Sequence, residues 1–149
     1  MIANVKKVLG RLALVAVVAG SAACDGITDD DHDLAEAEGM VVVDEATNQT
    51  LVTVNAQRQV TGSLGVRAGQ ERALEVHFTD ARGRRIEADE DEYSVGYTVA
   101  NSGIARISEH DGHLDLRGVA AGSTTAEFRL VHGAHDDYRS PAITITVAP

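Results

Sequence analysis

Six histidines occur in this 149-residue chain, and four of them fall in two identical spacings. These are His110-Asp111-Gly112-His113 and His132-Gly133-Ala134-His135. A neutral imidazole is a good donor to a borderline transition ion, and two of them three residues apart across a Gly-containing turn can converge on one ion. Asp111, Asp136 and Asp137 stand beside the pairs, where carboxylates serve as further ligands or as groups that orient an imidazole. Four imidazoles with acidic neighbours would suit zinc, copper or nickel, with geometry choosing among them. The competing reading is that His and Asp are ordinary solvent-exposed loop residues, with His113 simply alternating outward on a strand. His77, alone on a predicted strand, reads as a surface or half-buried residue. Catalytic residues are not expected: Ser123 and Ser140 lie in no nucleophile-elbow context, and nothing marks two carboxylates as an acid/base pair in a cleft.

The elements that must hold these residues are strands. Ala73 to Thr79 alternates Leu74, Val76 and Phe78 with Glu75 and His77; His113 to Arg117 alternates Leu114 and Leu116 with His113, Asp115 and Arg117. Ser123 to Leu130 sets Ala126, Phe128 and Leu130 against Glu127 and Arg129. This period of two is that of a half-buried strand. Asp111-Gly112 is a tight-hairpin signal, because its turn needs positive φ. Further strands are expected at Met40 to Val43, Leu51 to Val54, Val60 to Val66, Tyr93 to Val99, Ile104 to Ile107 and Ile143 to Val147. Val131 to Arg139 reads as a loop, and Ala88 to Glu92 as a solvated acidic loop. No segment after residue 25 sustains a 3.6-residue apolar period, so the expected fold is an all-β sandwich with one core. Leu74, Val76, Phe78, Ile107, Leu116, Phe128, Leu130, Ile143 and Ile145 are its expected members.

Two motifs carry a family resemblance. Gly103-Ile104-Ala105-Arg106-Ile107 and Gly118-Val119-Ala120-Ala121-Gly122-Ser123-Thr124 resemble the signature of group 2 bacterial immunoglobulin-like domains. The resemblance covers residues 60 to 148 and implies an immunoglobulin-like antiparallel β-sandwich of about seven to nine strands. In such a topology the two H-x-x-H pairs occupy the D–E and F–G connections. These share one end of the sandwich with the B–C loop, which carries Asp89, Glu90, Asp91 and Glu92. The resemblance also implies a place in surface and adhesion proteins.

The first residues read as an export signal. Lys6, Lys7 and Arg11 form a basic region, Leu12 to Ala19 is an uninterrupted apolar run, and Ser21-Ala22-Ala23 supplies small residues for cleavage. The apolar run is too short to span a bilayer. Cys24 follows at once and is the single cysteine. Small residues before a lone Cys resemble a bacterial lipobox, which implies acylation of Cys24; the usual Leu three positions earlier is here Ser21. Loss of the leader takes 13 basic residues to 10 against 23 acidic ones, moving the net charge from −10 to −13. Such a surface repels phosphate backbones, so nucleic acid is not an expected partner. Asp25 to Glu38 holds seven acids and no base, a composition that reads as a solvated tether. Its Asp29-to-Asp33 run lacks the Gly and the terminal Glu of an EF-hand loop. The expected organisation is therefore a signal peptide over 1–23, an acylated Cys and tether over 24–38, and one immunoglobulin-like domain over 39–149. The expected role is a lipid-anchored cell-envelope module, not an enzyme. It would face the periplasm or the cell surface, be held to the membrane by acyl chains, and meet another envelope protein or glycan. The alternative is an envelope protein that binds a divalent metal at its His-rich end.

Overall fold

The computed structural model describes residues 36–86 and 92–149. The signal segment, Cys24, the acidic tether up to residue 35 and the acids Asp89, Glu90 and Asp91 lie outside the described residues. The described chain is an all-β sandwich of eleven strands. One sheet has six strands in the order β3 (Val60–Gly62), β2 (Gln49–Val54), β1 (Gly39–Asp44), β5 (Glu71–Thr79), β8 (His113–Gly118), β7 (Ala105–His110). In the other, β9 (Gly122–His132) is flanked by β6 (Tyr93–Val99) on one side. On its other side lie β10 (His135–Arg139) and then β11 (Ile143–Ala148), which in turn pairs with β4 (Leu64–Arg67).

The alternation read from the sequence is what fills the space between the sheets. Leu74 and Leu116 from the first sheet and Phe128, Ile143 and Ile145 from the second are fully buried, and Phe78 and Leu130 nearly so. Val76 and Ile107 are only partly buried at the margin of this core. Met40, Val42, Val52 and Val54 join the centre, because β1 and β2 extend the first sheet beyond β5, and Leu64 joins it from β4 of the second.

The structure departs from the sequence expectation in strand count, in one strand direction and in one loop, each for a local reason. The predicted Val60–Val66 strand divides at Ser63: β3 stays with the first sheet and β4 joins the second, which lets Leu64 enter the core while Val60 to Gly62 remain exposed. β4 then runs parallel to β11, the exception to the antiparallel rule. The expected loop over Val131 to Arg139 is instead a hairpin, formed by the end of β9, a two-residue turn and β10. β10 and β11 form one line along β9, broken at Ser140-Pro141. There Phe128 N–H donates to Ser140 Oγ (3.0 Å) and Ser140 N–H donates to Phe128 O (2.8 Å), while Pro141 has no N–H to offer.

The Gly118–Gly122 corner ties the sheets together. Gly118 N–H donates to Gln70 O (3.0 Å), Gly69 N–H donates to Gly118 O (2.9 Å), and Ile104 O accepts from both Val119 N–H (2.8 Å) and Ala120 N–H (3.2 Å). A Cβ on Gly118 would stand 2.3 Å from Arg67 O, so any side chain here would force two backbones apart.

Candidate metal centre

Both H-x-x-H pairs turn out to be the same local device, a two-residue hairpin loop with a histidine on either side. His110 pairs with His113 across Asp111-Gly112, and His132 pairs with His135 across Gly133-Ala134. The loops need left-handed backbone: φ is 47° at Asp111, 84° at Gly112 and 57° at Gly133. Asp-Gly and a leading Gly are the residues that supply it. A spacing of three is therefore a cross-strand pair, with both rings on one face.

At the β7–β8 hairpin that face is the outer side of the six-stranded sheet, because Leu114 and Leu116 take the inner side. The His110 and His113 rings meet edge to face with centroids 5.6 Å apart. Asp115, two residues further along the same outer face, lies between them. Its Oδ1 is 3.5 Å from His113 Nε2, and its Oδ2 is 3.9 Å from His110 Nδ1. The remaining ring nitrogens face other carboxylates, His113 Nδ1 toward Glu45 Oε2 (3.9 Å) and His110 Nε2 toward Asp111 Oδ2 (3.6 Å). At these separations the contacts are electrostatic and not hydrogen bonds. One ligand atom from each of His110, His113 and Asp115 falls within 4.8 Å of the others.

The β9–β10 hairpin is built differently. His132 continues the inward parity of Phe128 and Leu130; its ring stacks on Tyr93 (centroids 4.5 Å, planes 24° apart), and its Nδ1 is 3.5 Å from Asp137 Oδ2. His135 is exposed. Asp136 faces out of the second sheet, where it accepts from Arg139 Nη2 (2.8 Å) and lies 3.5 Å from Arg129 Nη1. The Arg139 hydrogen bond, with the positive charge of both arginines, holds its carboxyl below the ordinary value. Tyr93 is pushed the other way, by burial first and then by the charges of Asp137 and Glu92.

The six residues expected at one metal site thus divide. His110 and His113 come together with Asp111 at their side, whereas His132, His135 and Asp136 are not brought into that group. Asp136 faces outward from the other sheet, on the far side of a sandwich whose sheets stack about 10 Å apart, and His132 is turned onto Tyr93. Among the described residues the ligand atoms that gather within 4.8 Å are those of His110, His113 and Asp115. Asp115 was not among the expected residues, although strand alternation already placed it on the same face as His113. The second hairpin repeats the spacing, with Asp137 two residues after His135. There, however, the register slips between Asp136 and Tyr138. This bulge resets the alternation so that Tyr138 can turn inward and pack edge-on to Phe78 at 5.6 Å.

His77 is half-buried on the outer face of β5, its Nε2 3.1 Å from Glu75 Oε2. A cleft of about 610 Å³ opens at this end of the sandwich, lined among others by Leu74, Phe78, Tyr93, Leu130 and His113.

No protein-family model and no curated protein matches the sequence. Among solved structures, the chain is similar to domains 4 and 5 of the S-layer protein SbsC, with 20% identity and a TM-score of 0.42. That match covers 60% of this chain and 49% of the other, so the chain spans about half the length of its structural neighbour.

Proposed function

We propose that this chain is a lipid-anchored immunoglobulin-like domain of the bacterial cell envelope, acting as a non-catalytic interaction or structural module. The observation that carries the reading is the Gly118–Gly122 corner. The residues that resemble the group 2 signature are those whose backbones join β7, β8 and the β4–β5 turn, and the 2.3 Å approach to Arg67 O gives Gly118 a structural task. A sequence motif that has a packing role at that point supports membership of the resembled family. The family's place in surface proteins, together with the export signal and Cys24, supports the envelope address. Acylation at Cys24 with two chains would give stable anchoring, each buried methylene contributing about 0.8 kcal/mol. A net charge of −10 for the whole chain favours a protein or glycan partner over nucleic acid.

The test combines anchoring with contact. Radiolabelled palmitate should enter the wild-type chain and not Cys24→Ala. A photo-crosslinking residue at the exposed loop position Ala134, or at Val119 (39% exposed), should give a discrete adduct in intact cells. A secreted, unlabelled wild-type chain would refute the anchor, and crosslinkers that yield no adduct at either position would refute the interaction role.

A further inference from the structure

We propose that His110, His113 and Asp115 form a binding site for one divalent transition-metal ion on the outer face of the six-stranded sheet. The site goes beyond the envelope-module reading and does not depend on it. Two features make it more than a group of polar neighbours.

The first is how the ring nitrogens are shared out. Each imidazole points one nitrogen at Asp115 and the other at a different carboxylate: Glu45 for His113 and Asp111 for His110. A metal-bound histidine characteristically has its second nitrogen engaged by a carboxylate, which fixes the tautomer and raises the basicity of the coordinating nitrogen. Here each second nitrogen has a carboxylate near it, at 3.9 Å for His113 and 3.6 Å for His110, from which such a hydrogen bond needs only a small side-chain movement. The two rings share a common carboxylate that would be the third ligand. Two imidazoles and one carboxylate are a donor set for zinc and its neighbours, with positions left for water.

The second is that the frame is rigid while the last adjustment is free. An ion about 2.0–2.1 Å from each donor in tetrahedral geometry needs donors roughly 3.4 Å apart, and these lie within 4.8 Å of one another. His113 and Asp115 are fixed on β8, with side chains only 19% and 25% exposed, whereas the His110 side chain is 66% exposed and has room to swing in. The local charge favours a cation. Glu45 and Glu75 share this face, and Arg117, the next outward residue on β8, is engaged 3.1 Å away by Glu71. The adjacent negative charges of Asp115, Glu45 and Asp111 around the two imidazoles are what a divalent ion would offset.

Calorimetric titration of the full-length, chelator-treated protein with zinc chloride tests the proposal. One zinc per chain is expected. His110→Ala, whose side chain is exposed enough to spare the fold, and Asp115→Asn should each weaken binding tenfold or more. Glu45→Gln should weaken it by about tenfold, as loss of a group behind a ligand does. The double variant His132→Ala with His135→Ala should bind as the wild type does. Cobalt in place of zinc should give visible ligand-field bands that Asp115→Asn removes. Absence of heat at micromolar zinc would overturn the site. So would equal binding by His110→Ala and Asp115→Asn, which would put the ion elsewhere, or binding lost only in the His132/His135 double variant.

Discussion

The β7–β8 and β9–β10 hairpins start from the same pattern, a histidine on each side of a two-residue loop and an acid two residues on. They end as different chemical objects. In the first, regular alternation carries the acid to the face shared by both imidazoles, and Asp115 sits between His110 and His113. In the second, the irregularity between Asp136 and Tyr138 breaks the alternation. Tyr138 is buried against Phe78, His132 is held by Tyr93, and Asp136 is taken up by Arg139 and Arg129. The difference teaches that H-x-x-H in a β protein specifies a cross-strand pair and nothing more. Which sheet face the pair lands on, and whether the next residues keep their register, decides whether one carboxylate comes to lie between both imidazoles, as Asp115 does, or beside only one of them, as Asp137 does at His132.

The strongest way to challenge this comparison is through the core that both hairpins share. Phe128 on β9 is fully buried, and Phe128→Ala should cost about 3–5 kcal/mol, read from urea denaturation. If the hairpins belong to one cooperative unit, amide exchange should speed up in both together. A variant as stable as its parent, or exchange that rises in β9–β10 alone, would separate them.

Gly118→Ala comes next. Its Cβ would meet Arg67 O at 2.3 Å, and overpacking of this kind costs roughly 1–3 kcal/mol. The corner lies at the end of β8 away from His113, so the variant should lose stability while the His110–His113 pairing persists. Histidine ring shifts that move as much as those of Ile104 and Arg67 would contradict that separation.

A pH series tests the turn that carries Glu45 to its place behind His113. Asp44, its neighbour, caps the β1–β2 turn by accepting from Thr47 N–H (2.9 Å), Thr47 Oγ1 (2.7 Å) and Arg72 Nε (2.6 Å). The Arg72 hydrogen bond, followed by that from Thr47, lowers its carboxyl from the ordinary 3.8. A carboxyl depressed in the folded state contributes its full stabilisation above the unfolded value and loses it as pH falls through the lower folded value. The denaturation midpoint should therefore drop below about pH 4, and Arg72→Ala should flatten that drop. Unchanged acid sensitivity in Arg72→Ala would assign it to other carboxyls, such as Asp80, whose value is lowered first by the backbone N–H of Arg84.

The smallest effect is expected at the second hairpin. His132→Ala removes the stack on Tyr93, and such aromatic pairs contribute about 0.5–1.5 kcal/mol. A loss well above that range would show that His132 does more than cover Tyr93.

Most of the architecture was legible in the sequence because half-buried strands alternate with period two. The pattern of Leu74, Phe78, Leu116, Phe128, Ile143 and Ile145 is enough to place each on the inner side. Asp111-Gly112 was equally legible, since few dipeptides tolerate two consecutive positive φ values. Local signals do not report where a strand changes partner. The split at Ser63 and the parallel β4–β11 pair depend on which sheet has room for Leu64, which the global packing settles. The same holds for the histidines. Sequence alone marked the Asp111-Gly112 hairpin that sets His110 beside His113, because its turn needs positive φ. The Val131-to-Arg139 segment read as a loop, and only the structure showed His132 and His135 as a second cross-strand pair. Tertiary structure decided that Glu45, distant in the chain, stands behind His113, and that the two pairs do not join. The first pair stands on the outer face of the six-stranded sheet beside Asp115, whereas His132 has the inward parity of the other sheet and lies on Tyr93. The face a strand presents is set by packing between the sheets.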